Sequence, residues 1–288
     1  GEVPPEASLV YRFGLAAIVL MAYCRWKQLS LQFELRAHIQ FFLFGLTLFG
    51  CNYYFLYVGQ HYINSALTCI AFSCIMFFNI INARIWFKTP ITRNVIIGAV
   101  IGIAGIATLF WPEINDTQLG QHTFYGLMFC LLAVTFASTG NMIAMKNQQK
   151  NYALLPATAW GMTYGASFMA VMMITQGKSF TFDWSFPYVS SLLFLSIFGS
   201  VIAFASYLTL LNTIGAHRAS YASIMFPGVA VVLSTLFEGF QWSEYTVVGF
   251  ICIVIGNIVV LAKPKDTPAS KQSDQSVTLP ATNEKVTS

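Results

Sequence analysis

The chain is poor in charge: Asp, Glu, Lys and Arg make up 9% of its 288 residues, against 56% hydrophobic residues. Soluble domains carry about 25% charged residues, so a soluble globular fold is excluded. There is no CxxC pair and no Cys/His cluster. Cys24, Cys51, Cys69, Cys74, Cys130 and Cys252 all fall in or beside apolar stretches. That excludes a disulfide framework or a metal centre and leaves the cysteines as small packing residues. All 11 acidic residues lie in loops, tail or span ends, and His38, His61, His122 and His217 lie at span ends too. Intramembrane proteolysis needs a buried Asp pair, or a Ser with a His at depth, so an enzyme is not expected. The net charge of +4 is spread over short loops and forms no patch for nucleic acid.

What is present is apolar length. About 20 apolar residues span a bilayer core as a helix. Nine such runs lie near 6–24, 38–59, 63–87, 93–111, 122–146, 153–176, 187–211, 215–237 and 243–262. They are too long for barrel strands, and an open sheet leaves backbone groups unpaired in lipid. The fold class is therefore an all-α membrane protein.

The chain also repeats itself. Gly98 and Gly105 recur 151 residues later as Gly249 and Gly256, Pro5 recurs at the same interval as Pro156, and Pro112 recurs after 152 residues as Pro264. Four runs precede the polar stretch Pro112–Gln121 and five follow it. The alignment leads us to expect ten helices in the complete protein, with a first helix missing before Gly1. The expected organisation is a first repeat over 1–112 lacking that helix, an external linker over 113–121, a second repeat of five helices over 122–264, and a disordered cytoplasmic tail over 265–288. Arg25, Lys27 and Arg36, then Arg84, Lys88 and Arg93, then Lys146 and Lys150, then Arg218, then Lys263 and Lys265 fall on one side of the spans. The positive-inside rule places that side in the cytoplasm. Five helices per repeat then give the halves opposite orientations, an inverted-repeat bundle of the kind that rocks around a central site.

Polar side chains at helical spacing mark packing seams or a wet path. In the run 63–87, Ser65, Thr68, Phe72, Asn79 and Asn82 share a stripe; Ser220, Ser223, Pro227 and Ser234 share the matching stripe of 215–237. Asn52, Tyr53 and Tyr57, Ser138 with Asn141, and Ser196, Ser200 and Tyr207 extend the candidates. A buried Asn in lipid is costly, which gives Asn52, Asn79 and Asn141 more weight than the serines. We take Asn52, Tyr53, Thr68, Asn79, Asn141, Tyr207, Ser220 and Ser223 as the candidate substrate-binding set. Such a set suits a small molecule with an apolar body and a few hydrogen-bonding groups.

Two further residues are candidate gate or hinge elements. Arg12 is the one charge well inside a span, about 10 Å from the helix start. A central Arg costs ~2.5–3.5 kcal/mol on insertion scales, so it needs water, a carbonyl-lined niche or an anion. Either it snorkels outward, or it meets the substrate or a gate. Pro227 removes a helix hydrogen bond mid-span, as a hinge or as plain curvature. Gly98, Gly102, Gly105, Gly249 and Gly256 form smooth faces for close helix packing, with Gly98-x-x-x-Gly102 one option for a homo-oligomer contact.

The order of these features resembles the EamA-like family of the drug/metabolite transporter superfamily. Val3-Pro4-Pro5 with Tyr11-Arg12-Phe13, the Gly98 to Gly105 stretch, Gly215-Ala216-His217-Arg218-Ala219-Ser220 leading to Pro227, and Leu236-Phe237-Glu238-Gly239 with Trp242 and Gly249 carry the likeness over 3–264. The resemblance implies two five-helix repeats, a bacterial inner-membrane location, no cofactor, and transport, often export, of small metabolites such as amino acids. It also implies that the first, third and fourth helices of each repeat line the cavity. The chain departs from the family where Ser73, Cys74 and Ile75 stand near the counterpart of Pro227, which puts a symmetric hinge in doubt. The rival readings are a passive channel or facilitator and, further off, an intramembrane enzyme. No acidic relay is visible inside the spans.

Overall fold

Pro5 occupies the first turn of α1 (Pro5–Trp26), where its missing N–H leaves no bond unmade, and Glu6 complements the helix dipole beside it. The computed structural model describes residues 3–72, 74–115, 120–219, 232–233, 235–237 and 242–261. Among these the further elements are α2 (Leu35–Gly45), a π-helical turn π1 (Leu46–Cys51), α3 (Asn52–Gln60), α4 (Ser65–Phe72), α5 (Ile75–Phe87), α6 (Arg93–Asn115) and α7 (Gly120–Gln149). Then follow α8 (Leu154–Thr175), α9 (Phe186–Ser196), a second π-helical turn π2 (Ile197–Ile202), α10 (Ala203–Ala219) and α11 (Glu244–Leu261). No strand occurs among the described residues. The expected tail over 265–288, and Ser220, Ser223 and Pro227, lie outside the described residues.

Four helical stretches, Pro5–Trp26, Leu35–Gln60, His122–Gln149 and Phe186–Thr213, are long and apolar enough to cross a membrane; Ile75–Phe87, Arg93–Leu109 and Glu244–Val260 are shorter apolar helices. Their outer faces carry exposed Ile18, Ile96, Val100, Ile103, Phe198, Ile255 and Ile258, the composition that lipid requires. Exposed Trp26, Trp86, Trp111, Trp184 and Trp242 stand near helix ends, where amphipathic rings settle at the bilayer interface. The chain is an all-α, multi-pass membrane protein.

Local chemistry explains where the helices stop. The α1 helix closes with Gln28 N–H on the Arg25 carbonyl and Leu29 N–H on the Cys24 carbonyl, which requires φ +56° at Gln28. The α8 helix closes the same way through Gly177 at φ +66°, a conformation glycine takes without a Cβ penalty. Asn64 caps α4, its Oδ1 accepting the Leu67 N–H at 2.9 Å. The run 63–87 is not one helix but two, α4 and α5. Cys74 N–H bonds back only three residues to Ala71, and its carbonyl starts the next ladder by accepting from Phe77 and Phe78. A break therefore exists in the first half without a proline.

Both π-helical turns interrupt otherwise continuous helices, and Leu46–Cys51 and Ile197–Ile202 lie 151 residues apart at either end. The repeat in sequence is thus a repeat in backbone irregularity. A second correspondence joins the halves. A Cβ on Gly105 would stand 2.7 Å from the Gly249 carbonyl oxygen, and one on Gly256 would stand 2.6 Å from that of Gly98. The earlier glycine of α6 meets the later one of α11, so the helices cross antiparallel, backbone on backbone. Gly102 is filled by the Phe77 ring and by Gly256. The Gly98-x-x-x-Gly102 face is therefore occupied inside the chain, by Gly256 and Val260 at one glycine and Phe77 at the other.

The core gathers side chains from most of the helices: Phe13 of α1, Phe49 of π1, Met76 of α5, Val134 and Met142 of α7, Met162 of α8 and Leu208 of α10. All six cysteines are free thiols. The glycine crossing makes a definite prediction. Gly256→Leu places its Cβ 2.8 Å from the Gly102 nitrogen and should cost about 1–3 kcal/mol or prevent folding. Thermal unfolding in detergent, read by size exclusion against the lipid-facing Ile258→Leu, should show the loss in the first variant alone.

Candidate functional site

A cavity of about 280 Å³ opens where the two interrupted helices face each other. Leu48, Asn52, Tyr53 and Leu56 wall it from π1 and α3; Gly199, Ala203, Phe204 and Tyr207 wall it from π2 and α10. Each member of the first set has its partner 151 residues later in the second. The cavity therefore sits where repeat-related positions converge. Phe72 and Ile75, on either side of the α4–α5 break, close one flank, and Ala137 and Asn141 of α7 close another.

Its polar part is a cluster at the junction of α5, α7 and α10. Asn141 Nδ2 donates to Asn79 Oδ1 and to the Tyr207 hydroxyl, both at 3.2 Å. Asn79 and Asn141 are completely buried. One turn along the same seam Asn82 Nδ2 donates to Ser138 Oγ at 2.8 Å. Asn52 Nδ2 is tied to the Leu48 carbonyl at 3.1 Å. Three atoms of this group have no protein partner: Asn52 Oδ1, Asn79 Nδ2 and Asn141 Oδ1. An unpaired buried amide atom costs about 1–3 kcal/mol, so the site is poised to gain from a hydrogen-bonding guest.

Arg12 takes the carbonyl-lined niche among the three environments open to it. Its Nε donates to Ser200 Oγ at 2.9 Å and its Nη2 to the Gly199 carbonyl at 3.3 Å, both on π2. Wider π-helical winding removes carbonyls from the normal ladder and makes them available to such a donor. The guanidinium also lies 5.3 Å from the ring centres of Phe13 and Tyr53. Arg12 is thus one layer behind the cavity wall, holding Gly199 and Tyr53. Beyond it, α1 is fastened to the α8–α9 segment by Ser8 with Tyr188, by Tyr11 with the Thr181 carbonyl, and by the Glu6–Lys178 ion pair. The Ser185 backbone N–H and hydroxyl both donate to Asp183, shaping that segment and holding its carboxyl below the usual range.

The structure brings Asn52, Tyr53, Asn79, Asn141 and Tyr207 together at one place. Thr68 is buried elsewhere: its hydroxyl bonds the Asn64 carbonyl at 2.9 Å and it adjoins Cys130 of α7. The apolar wall residues Leu48, Leu56, Gly199, Ala203 and Phe204 carry no polar signal and stand outside the candidate set, whereas Phe72 lies on the stripe read from 63–87. The repeat interval applied to Asn52 and Tyr53 would have found two more positions, Ala203 and Phe204, and applied backwards to Tyr207 it leads to Leu56. Among the described residues no group of three His, Cys, Asp or Glu side chains is placed to hold a metal.

Lipid-facing helices around an internal cavity with a few convergent amides define a multi-pass membrane protein with a polar pocket in its interior. The chain belongs to the EamA-like transporter family, whose family model matches residues 1–111 and 124–262. It is 23% identical to the uncharacterized transporter YoaV of Bacillus subtilis over 262 residues, 90% of this chain and 85% of that protein. It is 22% identical to an uncharacterized transporter of Archaeoglobus fulgidus, over 90% and 89% of the two chains. The uncharacterized inner membrane transporter YedA of Escherichia coli K12 is 23% identical over 92% of this chain and 86% of its own. A solved crystal structure shares the fold with a TM-score of 0.66 at 15% identity, covering 90% of this chain and 88% of that one.

The amide cluster should behave as a unit. Asn141→Leu strands the Asn79 amide and should lower stability by about 1–3 kcal/mol. Adding Asn79→Leu should cost less than its effect alone, a coupling read from a double-mutant cycle on unfolding in detergent.

Proposed function

We propose that the chain is a secondary transporter that moves small metabolites across the bacterial inner membrane by alternating access, exporting amino acids or related amphipathic metabolites. The carboxyl terminus faces the cytoplasm in this reading, on the basic side of the spans. The Escherichia coli relative YedA is an inner membrane transporter, which supports the same location for this chain.

The observation that carries the mechanism is an inequality between equivalent positions. Gly14 of α1 and Gly165 of α8 are related by the 151-residue interval. A Cβ on Gly165 would stand 2.6 Å from Phe49 Cβ and 3.1 Å from the Gly45 carbonyl oxygen, whereas one on Gly14 would meet nothing within 4 Å. Two halves of related sequence therefore occupy a closed and an open arrangement at once. A carrier built from inverted repeats changes state by exchanging these arrangements between its halves. In the exchanged state Gly14 closes on Ser200 and Ser196, the counterparts of Phe49 and Gly45, and Arg12 is the side chain that must yield. Among the described residues no carboxylate lines the cavity. This supports exchange or facilitated flux over a proton relay in the described wall, and keeps the facilitator as the second reading.

The substrate is sought by profiling metabolites in the medium of overexpressing and deletion cells, followed by flux in proteoliposomes. Saturation with counterflow is expected; linear flux without counterflow would establish the channel instead. Asn79→Ala and Tyr207→Ala should reduce flux with the protein still in the membrane, and normal flux in both removes the cavity from the account. Gly14→Leu should fold, because its site is open, yet lower turnover about tenfold or more by blocking closure. Wild-type turnover in folded Gly14→Leu would overturn the exchange.

A further inference from the structure

Two amide oxygens in the cavity wall are held facing outward from their own hydrogen bonds. Asn52 cannot exchange its oxygen and nitrogen without losing the bond from Nδ2 to the Leu48 carbonyl. Asn141 is pinned by its own Nδ2, shared between Asn79 and Tyr207. What each has left over is an acceptor, Asn52 Oδ1 and Asn141 Oδ1, on side chains only 3% and 0% exposed. The two amides therefore ask a guest for N–H or O–H groups, and the Tyr53 and Tyr207 hydroxyls of the same wall can donate to an oxygen on it, a combination that an amide group matches.

Charge on the guest is disfavoured in both signs. None of the described wall residues is ionisable to a carboxylate, so an ammonium group would lose its water without gaining a counter-ion. The Arg12 guanidinium, itself positive, lies 5.3 Å from the Tyr53 ring centre and is bonded to Gly199. A guest carboxylate would meet the Asn oxygens lone pair against lone pair and could find only the neutral Tyr53 and Tyr207 hydroxyls as donors in the wall, since the Nε and Nη2 of Arg12 are already engaged by π2. The remainder of the wall, Leu48, Leu56, Phe72 and Phe204, is apolar. At about 280 Å³ the space is nearly twice that of a ~150 Å³ apolar cavity known to hold benzene.

We infer that this cavity selects uncharged molecules with an apolar or aromatic body and an N–H-bearing amide, lactam or related group, in preference to free amino acids, amines or carboxylates. The inference rests on the cavity being the transport site and narrows the amphipathic class proposed above. Asn52 and Asn141 are then the residues that set specificity, and Tyr207 positions Asn141.

The test uses the purified chain in lipid nanodiscs and three matched sets of probes: the primary amide, the acid and the amine on phenyl, indole and cyclohexyl bodies. Binding is read by calorimetry and by thermal stabilisation. At least one amide should bind about tenfold more tightly than its acid and amine, and Asn52→Leu should erase that margin. Leu56→Trp, which fills the cavity without touching the amides, should weaken every probe and guards against a misfolded Asn52→Leu. Tighter binding of an acid or amine, weakened by Leu56→Trp, overturns the substrate class and leaves the cavity standing. Binding of charged or neutral probes that neither variant alters removes the cavity reading itself. Failure of all three amides to bind overturns the inference.

Discussion

A backbone carbonyl released from its helix ladder inside hydrocarbon has no water to turn to, and it must find a donor within the protein. In each of the two π-helical turns of this molecule a carbonyl takes a side-chain donor, and the donor differs in kind. The Leu48 carbonyl takes the side chain of Asn52 from one turn further along the same helix. The Gly199 carbonyl, its counterpart 151 residues later, takes Arg12 from another helix. One solution is local and neutral; the other ties α1 to π2 with a cation. The cavity lies between the two turns, and its polar character follows from what those donors leave unpaired.

Around that centre the halves are related but not alike. The α6–α11 crossing treats them equally, since Gly98 with Gly256 and Gly105 with Gly249 exchange places under the repeat. The α1–α9 and α8–α2 pairs treat them unequally, as Gly14 and Gly165 show. An equal joint thus stands beside unequal flanks. Glycine serves both parts, because only an absent side chain lets helix backbones approach this closely in lipid.

Much of the fold was legible in composition and spacing. Run length located most helices, and the repeat interval picked out the paired glycines that meet in the α6–α11 crossing. The site was legible where polarity marked it: Asn52, Tyr53, Asn79, Asn141 and Tyr207 converge, because a buried amide needs partners and the helices meet where those partners are. Other features left no trace in hydropathy. A π-helical turn changes winding by one residue and not composition, so 38–59 and 187–211 read as uninterrupted spans. The α4–α5 break contains no proline, so nothing in 63–87 announced it. Thr68 shared a stripe with Asn79, but the break separates the two and Thr68 turns to its own helix and Cys130. Arg12 could be placed at depth, but the π2 carbonyl that receives it could not be foreseen.

The α6–α11 crossing has a consequence for tolerance to change. Its contact surface is self-complementary: each helix brings two glycines to an antiparallel partner that brings the same two. A side chain added on either helix meets the other's backbone, so neither can drift in sequence at these positions alone. The contact of Arg12 with Gly199 carries no such reciprocity, and that flank is free to differ where the seam is not.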